Sequence, residues 1–94
     1  MPWNWPDTMR VLIPSPLHSY TDGRRWVTAN GNTLSELLLD LDAGFPGIRH
    51  RLIDEQGNVR PHMTIYAHGK RAHDLATDVR DCDEVVIMQA LSGG

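Results

Sequence analysis

From Met9 to Ile13 the chain reads MRVLI, a run of large and β-branched apolar residues closed by Pro14-Ser15-Pro16. An apolar run bounded by prolines, which cannot donate to a ladder, predicts a strand. A polar loop leads to the turn signal Asp22-Gly23, a second strand is expected over Arg25 to Ala29, and Asn30-Gly31-Asn32 then breaks the chain. The strongest periodic signal comes next. Thr33 and Glu36 have the spacing of a capping box, and Leu34, Leu37, Leu38 and Leu41 fall at i, i+3, i+4 and i+7, one buried face of a helix. Gly44 stands where a C-terminal cap belongs, and Pro46 prevents continuation.

Beyond the helix the pattern weakens. GIRHRLIDEQGNVRP reads as an irregular stretch containing the turn Gln56-Gly57-Asn58. HMTIYA then alternates, with Met63 and Ile65 on one side and Thr64 and Tyr66 on the other, and His68-Gly69-Lys70 makes a turn. Arg71 to Arg80 reads as a connection with room for one helical turn. Glu84 to Gln89 is the last strand, with Val85 and Ile87 opposing Val86 and Met88. The order β-β-α-β-(β)-β describes a small α+β domain: a mixed four- to five-stranded sheet with one main helix packed across it. A β-grasp needs such an arrangement, and other small α+β folds share it.

Composition narrows the function. Ninety-four residues suit one domain with a single modest core. A net charge of -3, with eight Arg and one Lys (Lys70) scattered along the chain, makes no general case for nucleic acid or an anionic membrane. No apolar run approaches the roughly 18 to 20 residues of a membrane span. The start, MPWNWPDT, lacks the basic and apolar regions of a secretory signal. One cysteine, Cys82, excludes an internal disulfide and a cysteine zinc site, which suits a reducing compartment, so the expectation is a cytoplasmic domain. Residues 1–8 read as a disordered extension, residues 9–90 as the domain and residues 91–94 as a flexible tail. The Trp3 and Trp5 pair reads as a frayed terminus rather than a docking segment.

Side chains able to carry chemistry do not assemble on paper. His62 and His68 share strand parity, but six residues at about 3.3 Å each put them roughly 20 Å apart, too far for one metal. No sequence spacing brings His18, His50 or His73 together, and no metal site is expected. Asp54-Glu55 and Asp81, Asp83 and Glu84 border turns, where carboxylates bond to local backbone. Cys82 lies between Asp81 and Asp83, whose charges disfavour its thiolate, and reads as an exposed, incidental thiol. Val86 and Met88 are the informative pair. If Val85 and Ile87 fill the core, either these two form an exposed apolar patch for a partner or the strand is covered on both faces.

The C-terminal stretch QALSGG, residues 89–94, gives that pair a context. Glycine loses more conformational entropy on ordering than other residues, so Gly93-Gly94 makes a poor structural ending. Taken together, VLIPSPLHSYTDG, TLSELLLDLDAGFPGIRHRLIDEQGNVR, HMTIYAHG and DEVVIMQALSGG resemble the ThiS/MoaD family of ubiquitin-like sulfur carriers over roughly residues 10–94. The PSPL, FPGI and LIDE stretches look most like the CysO-type carriers of cysteine biosynthesis. Cys82 and His68 stand where relatives often have Gly and Asn, and the WNW start lies outside the family pattern.

The resemblance implies a β-grasp fold and a protein that is a co-substrate rather than a catalyst. An E1-like adenylating enzyme of the MoeB/ThiF type would use ATP to adenylate the Gly94 carboxylate. Sulfur would displace AMP, and the thiocarboxylate would serve a sulfur-accepting enzyme such as a cysteine synthase, with a zinc metallopeptidase releasing the product. No bound cofactor is implied. Gly93 and Gly94 would be the reactive tail, and Val86, Met88 and Leu91 the partner contacts. Two alternatives stay open: the small subunit of molybdopterin synthase, and a modifier joined to target lysines through Gly94.

Overall fold

The computed structural model describes residues 8–90. The extension up to residue 7 and the tail residues Leu91, Gly93 and Gly94 lie outside the described residues. The sheet has five strands: β1 (Thr8–Leu12), β2 (Trp26–Asn30), β3 (Met63–Ala67), β4 (Lys70–Ala72) and β5 (Glu84–Gln89). Their spatial order is β2-β1-β5-β3-β4. β1 pairs antiparallel with β2 and parallel with β5, with Val11 opposite Val85, and β3 pairs antiparallel with β5 and β4. The central place of the last strand between the first and third is the β-grasp arrangement.

Helix α1 (Leu34–Gly44) crosses one face because all four predicted leucines point into it; Leu34, Leu37, Leu38 and Leu41 are buried. They join Met9, Val11, Val27, Ala29, Met63, Ile65, Val85 and Ile87 in one core. Thr33 caps the helix by accepting from the Glu36 N–H at 3.2 Å, as the capping box predicts. The return bond shifts by one residue, because the Glu36 carboxylate accepts from the Asn32 N–H rather than from that of Thr33. Gly31 is more than punctuation between β2 and α1. A Cβ there would sit 2.5 Å from the backbone nitrogen of Leu37, so only glycine lets strand and helix approach this closely.

Several local expectations are corrected. The strands β1 and β2 begin at Thr8 and Trp26, each one residue from the expected start. The loop after Pro14 contains a 3₁₀ segment, Ser15–Thr21, which buries Leu17 and Thr21; the Thr21 hydroxyl donates to the Arg24 carbonyl at 2.8 Å. Gly44 does not cap α1 in a left-handed conformation: it is the last helical residue, and the cap position falls to Phe45. The left-handed glycine is Gly47, at φ 98°. It opens a second helix, α2 (Ile48–Leu52), in what the periodicity presented as an irregular stretch. Two fully buried residues at i and i+4, Ile48 and Leu52, hold it, and the Asp42 carboxylate accepts from the Gly47 and Arg49 N–H groups. Five residues are too few for a periodicity to declare itself. The stretch after His68-Gly69 holds β4 and turns, with no helical turn.

Candidate functional site

Strand β5 decides which residues face outward. Val85 and Ile87 are buried against α1, while Val86 is half-buried and Met88 is 53% exposed on the opposite face. No described element covers that face, which resolves the two readings of the pair in favour of an open surface. Strand register then extends it. Leu12 lies opposite both Trp26 and Val86, Tyr66 lies opposite Val86, and Met88 lies opposite Thr64. A transverse row Trp26-Leu12-Val86-Tyr66 thus runs across four strands, with Met88 toward the C-terminal end of β5. Trp26, Leu12 and Tyr66 were not singled out from the sequence. The parity of Trp26 against the buried Val27 and Ala29 was the available signal, but it identifies a shared face only once pairing is known. At the other end of the face the Arg10 guanidinium stacks over Trp26 at 4.7 Å and donates to Glu84 at 2.7 Å. Both charged groups are well exposed, so the pair adds little stability and chiefly fixes the edge of the apolar row.

The root of the C-terminal tail is held by the sheet. Gln89 pairs with Met63, and the Ala90 N–H donates to the His62 carbonyl at 2.8 Å. On the β1 side of this root lies a groove of about 440 Å³, lined by Leu12, Ile13, Pro14, Pro16 and Met88, with Arg25 at its margin. The described chain therefore ends, at Ala90, beside an apolar groove continuous with the open face.

The remaining candidates fall elsewhere. His62 and His68 flank the two ends of β3, as their spacing required, and the His68 ring nitrogen lies 3.1 Å from the Asp78 carbonyl. His68 has φ 55°, a left-handed turn position that explains why a residue tolerant of that region stands there. Among the described residues no three His, Cys, Asp or Glu side chains gather as a metal-binding group. Asp54 accepts from the Gln56 and Asn58 N–H groups, the turn role expected of it. The exposed-thiol reading of Cys82 is corrected: the residue is 8% exposed and part of the core. The turn at Asp81, with φ 68°, directs Cys82 inward while its charged neighbours remain exposed. Burial pushes its thiol pKa up, against an opposing bond from the His68 backbone, and the charges of Asp78, Asp83 and Asp81 add to the rise. The Arg80 guanidinium and backbone N–H hold Asp78 down to about 2. Neither group adjoins the groove or Ala90, so the candidate site is the open face and the groove beside the end of β5.

Such a site, on a five-stranded sheet with one crossing helix, defines a small ubiquitin-like domain of the β-grasp class. The chain belongs to the ThiS family, whose profile matches residues 11–94. It is 36% identical over 89 residues to the sulfur carrier protein CysO of Mycobacterium tuberculosis, covering 89% of this chain and 96% of that protein. The crystal structure of that CysO superposes with a TM-score of 0.82 at 34% identity, covering 88% of this chain and 99% of the other. A CysO chain in a BexX/CysO complex from Amycolatopsis orientalis gives a TM-score of 0.83 at 29% identity, over 92% and 99% of the two chains. The small archaeal modifier protein 3 of Haloferax volcanii is 32% identical over 72 residues, 73% of this chain and 77% of that one. These relatives are carriers and modifiers, proteins acted upon by enzymes rather than catalysts.

Proposed function

We propose that this chain is a sulfur carrier of cysteine biosynthesis whose reactive group is the carboxylate of Gly94. The observation that carries this reading is the family match, which reaches Gly94 and is joined to 36% identity with CysO along most of the chain. In the first step a carboxylate oxygen attacks the α-phosphorus of ATP in an E1-like adenylating enzyme, and pyrophosphate leaves. A sulfur nucleophile then attacks the acyl carbon, AMP departs, and sulfur replaces one carboxylate oxygen. Adenylation is needed because a carboxylate is a poor electrophile without a leaving group. The two glycines suit the task, since the absence of Cβ lets a backbone thread a narrow channel. The open face and groove supply the docking surface through Val86 and Met88, with Trp26, Leu12 and Tyr66 beside them, and Leu91 is assigned as a further partner contact from the family resemblance. A cysteine synthase-type enzyme accepts the sulfur, and a zinc metallopeptidase frees the product.

Intact-protein mass spectrometry after incubation with the cognate activating enzyme, ATP and a sulfur source tests this. The expected mass change is replacement of one oxygen by sulfur; an unchanged mass with a competent enzyme overturns the proposal. The likeness to the archaeal modifier favours one second reading, conjugation of Gly94 to a target lysine. Isopeptide-linked adducts in cells would support it in place of sulfur transfer.

A further inference from the structure

The tail root has a second flank, on the β3 side, of opposite character to the apolar groove. Four basic side chains, His50, Arg51, Arg60 and His62, line a recess of about 240 Å³ there. Two tertiary links hold it together. The Arg60 N–H bonds the Leu52 carbonyl at 2.9 Å, and the Arg60 guanidinium Nε donates to the His50 carbonyl at 2.8 Å, tying the loop before β3 to α2. His62 then joins the recess to the tail, since its carbonyl receives the Ala90 N–H. The sequence around the recess is less acidic than the whole: residues 49–62 carry three of the nine Lys and Arg, Arg49, Arg51 and Arg60, and two of the twelve acidic residues, in a chain of net charge -3. One of those two acids, Asp54, has Oδ1 occupied by its own turn.

We propose that this basic recess docks an acidic rim around the pocket of the activating enzyme that receives the tail. The inference rests on the sulfur-carrier reading and adds to it the recognition chemistry of the partner. Four residues beyond Ala90 span at most about 14 Å, so whatever surface surrounds an engaged Gly94 must lie close to the tail root. A surface meeting that root encounters apolar side chains on one flank and the Arg51 and Arg60 guanidinium groups on the other, which fixes its orientation. The recess favours a protein over a small anion. Arg51 is exposed and Arg60 only half-buried, so the two guanidinium charges are solvated as in a steering surface. Only two arginines line the recess, in a chain of net charge -3, which disfavours nucleic acid.

The test is steady-state thiocarboxylation by the cognate activating enzyme, comparing wild type, Arg51→Glu, Arg51→Gln and the charge-matched control Arg24→Glu. Far-UV circular dichroism confirms folding, which the exposure of Arg51 should preserve. At low ionic strength Arg51→Glu should raise the KM for the carrier about tenfold while kcat stays within about twofold. Arg51→Gln should fall between, Arg24→Glu should behave as wild type, and added salt should narrow the differences. A KM for Arg51→Glu equal to that of Arg24→Glu overturns the inference. So does a shift in the KM for ATP in place of that for the carrier, which would assign the recess to nucleotide phosphates. Wild-type protein that gains no sulfur defeats the carrier reading itself, a result distinct from a reactive wild type with an unaffected Arg51→Glu.

Discussion

Met88 is a large apolar side chain left exposed on the central strand of the sheet. It is 53% exposed on the strand whose neighbours Val85 and Ile87 are buried, so charge at this position should disrupt association and leave folding unchanged. Met88→Asp is expected to shift stability by no more than about 0.5 kcal/mol, as surface changes do. In the thiocarboxylation assay it should raise the carrier KM severalfold; an unaltered KM would remove Met88 from the docking face. Asp78 makes the complementary point about charge. Its folded pKa is lowered from 3.8 to about 2, so its contribution is present above about pH 4 and is lost as pH falls toward 2. Asp78→Asn should therefore lower Tm at neutral pH by a small amount, the bidentate Arg80 contact being exposed, and the gap should close on acidification to about pH 2. A gap independent of pH would assign the effect to the turn geometry and not to the carboxylate.

At the level of elements, the junction of β2 and α1 is the least forgiving. The Cβ of an alanine at 31 would meet backbone atoms of Leu37 at 2.5 and 2.8 Å, and backbone cannot rotate aside as a side chain can. Gly31→Ala should destabilise by about 1–3 kcal/mol, the range for overpacking, read as a lower urea midpoint with an unchanged slope. A midpoint equal to wild type would mean that the helix slides along the sheet at little cost. The start of α1 is also held from outside by backbone bonds from Leu34 to Thr77 and from Ser35 to Leu75. The long connection before β5 is thereby a brace for the helix, a role its turn-rich sequence does not announce.

For the whole molecule, the proposed chemistry at Gly94 lies outside the elements that build the described core. The last sheet hydrogen bond among the described residues is that of Ala90, and the core cluster they form spans Met9 to Ile87. Deleting Gly94 should leave Tm within about a degree of wild type, since glycine has no side chain to bury and orders at the largest entropic cost. The same deletion should abolish incorporation of sulfur, and a deletion that still acquired it would place the reactive group elsewhere. The tail root lies between an apolar groove and a basic recess, so a partner can grip the domain without disturbing its core.

The leucine spacing of α1, the capping Thr33 and the alternation in β3 and β5 are local facts with fixed periods, and they specified the element order and most of the core before any pairing was known. Val86 and Met88 were legible for the same reason, because strand parity alone separates them from Val85 and Ile87. Helix α2 and the 3₁₀ segment were not, since a turn or two of helix carries too few residues for a period; α2 is held instead by the Asp42 carboxylate at its start and by burial of Ile48 and Leu52. Burial of Cys82 depended on a left-handed turn at Asp81 rather than on its charged neighbours. Trp26, Leu12 and Tyr66 became one surface with Val86 only through strand register. His50, Arg51, Arg60 and His62 met only because α2 and the start of β3 are tied together. Periodicity and parity belong to the chain; the company a side chain keeps across strands and helices is set by pairing, which tertiary structure alone decides.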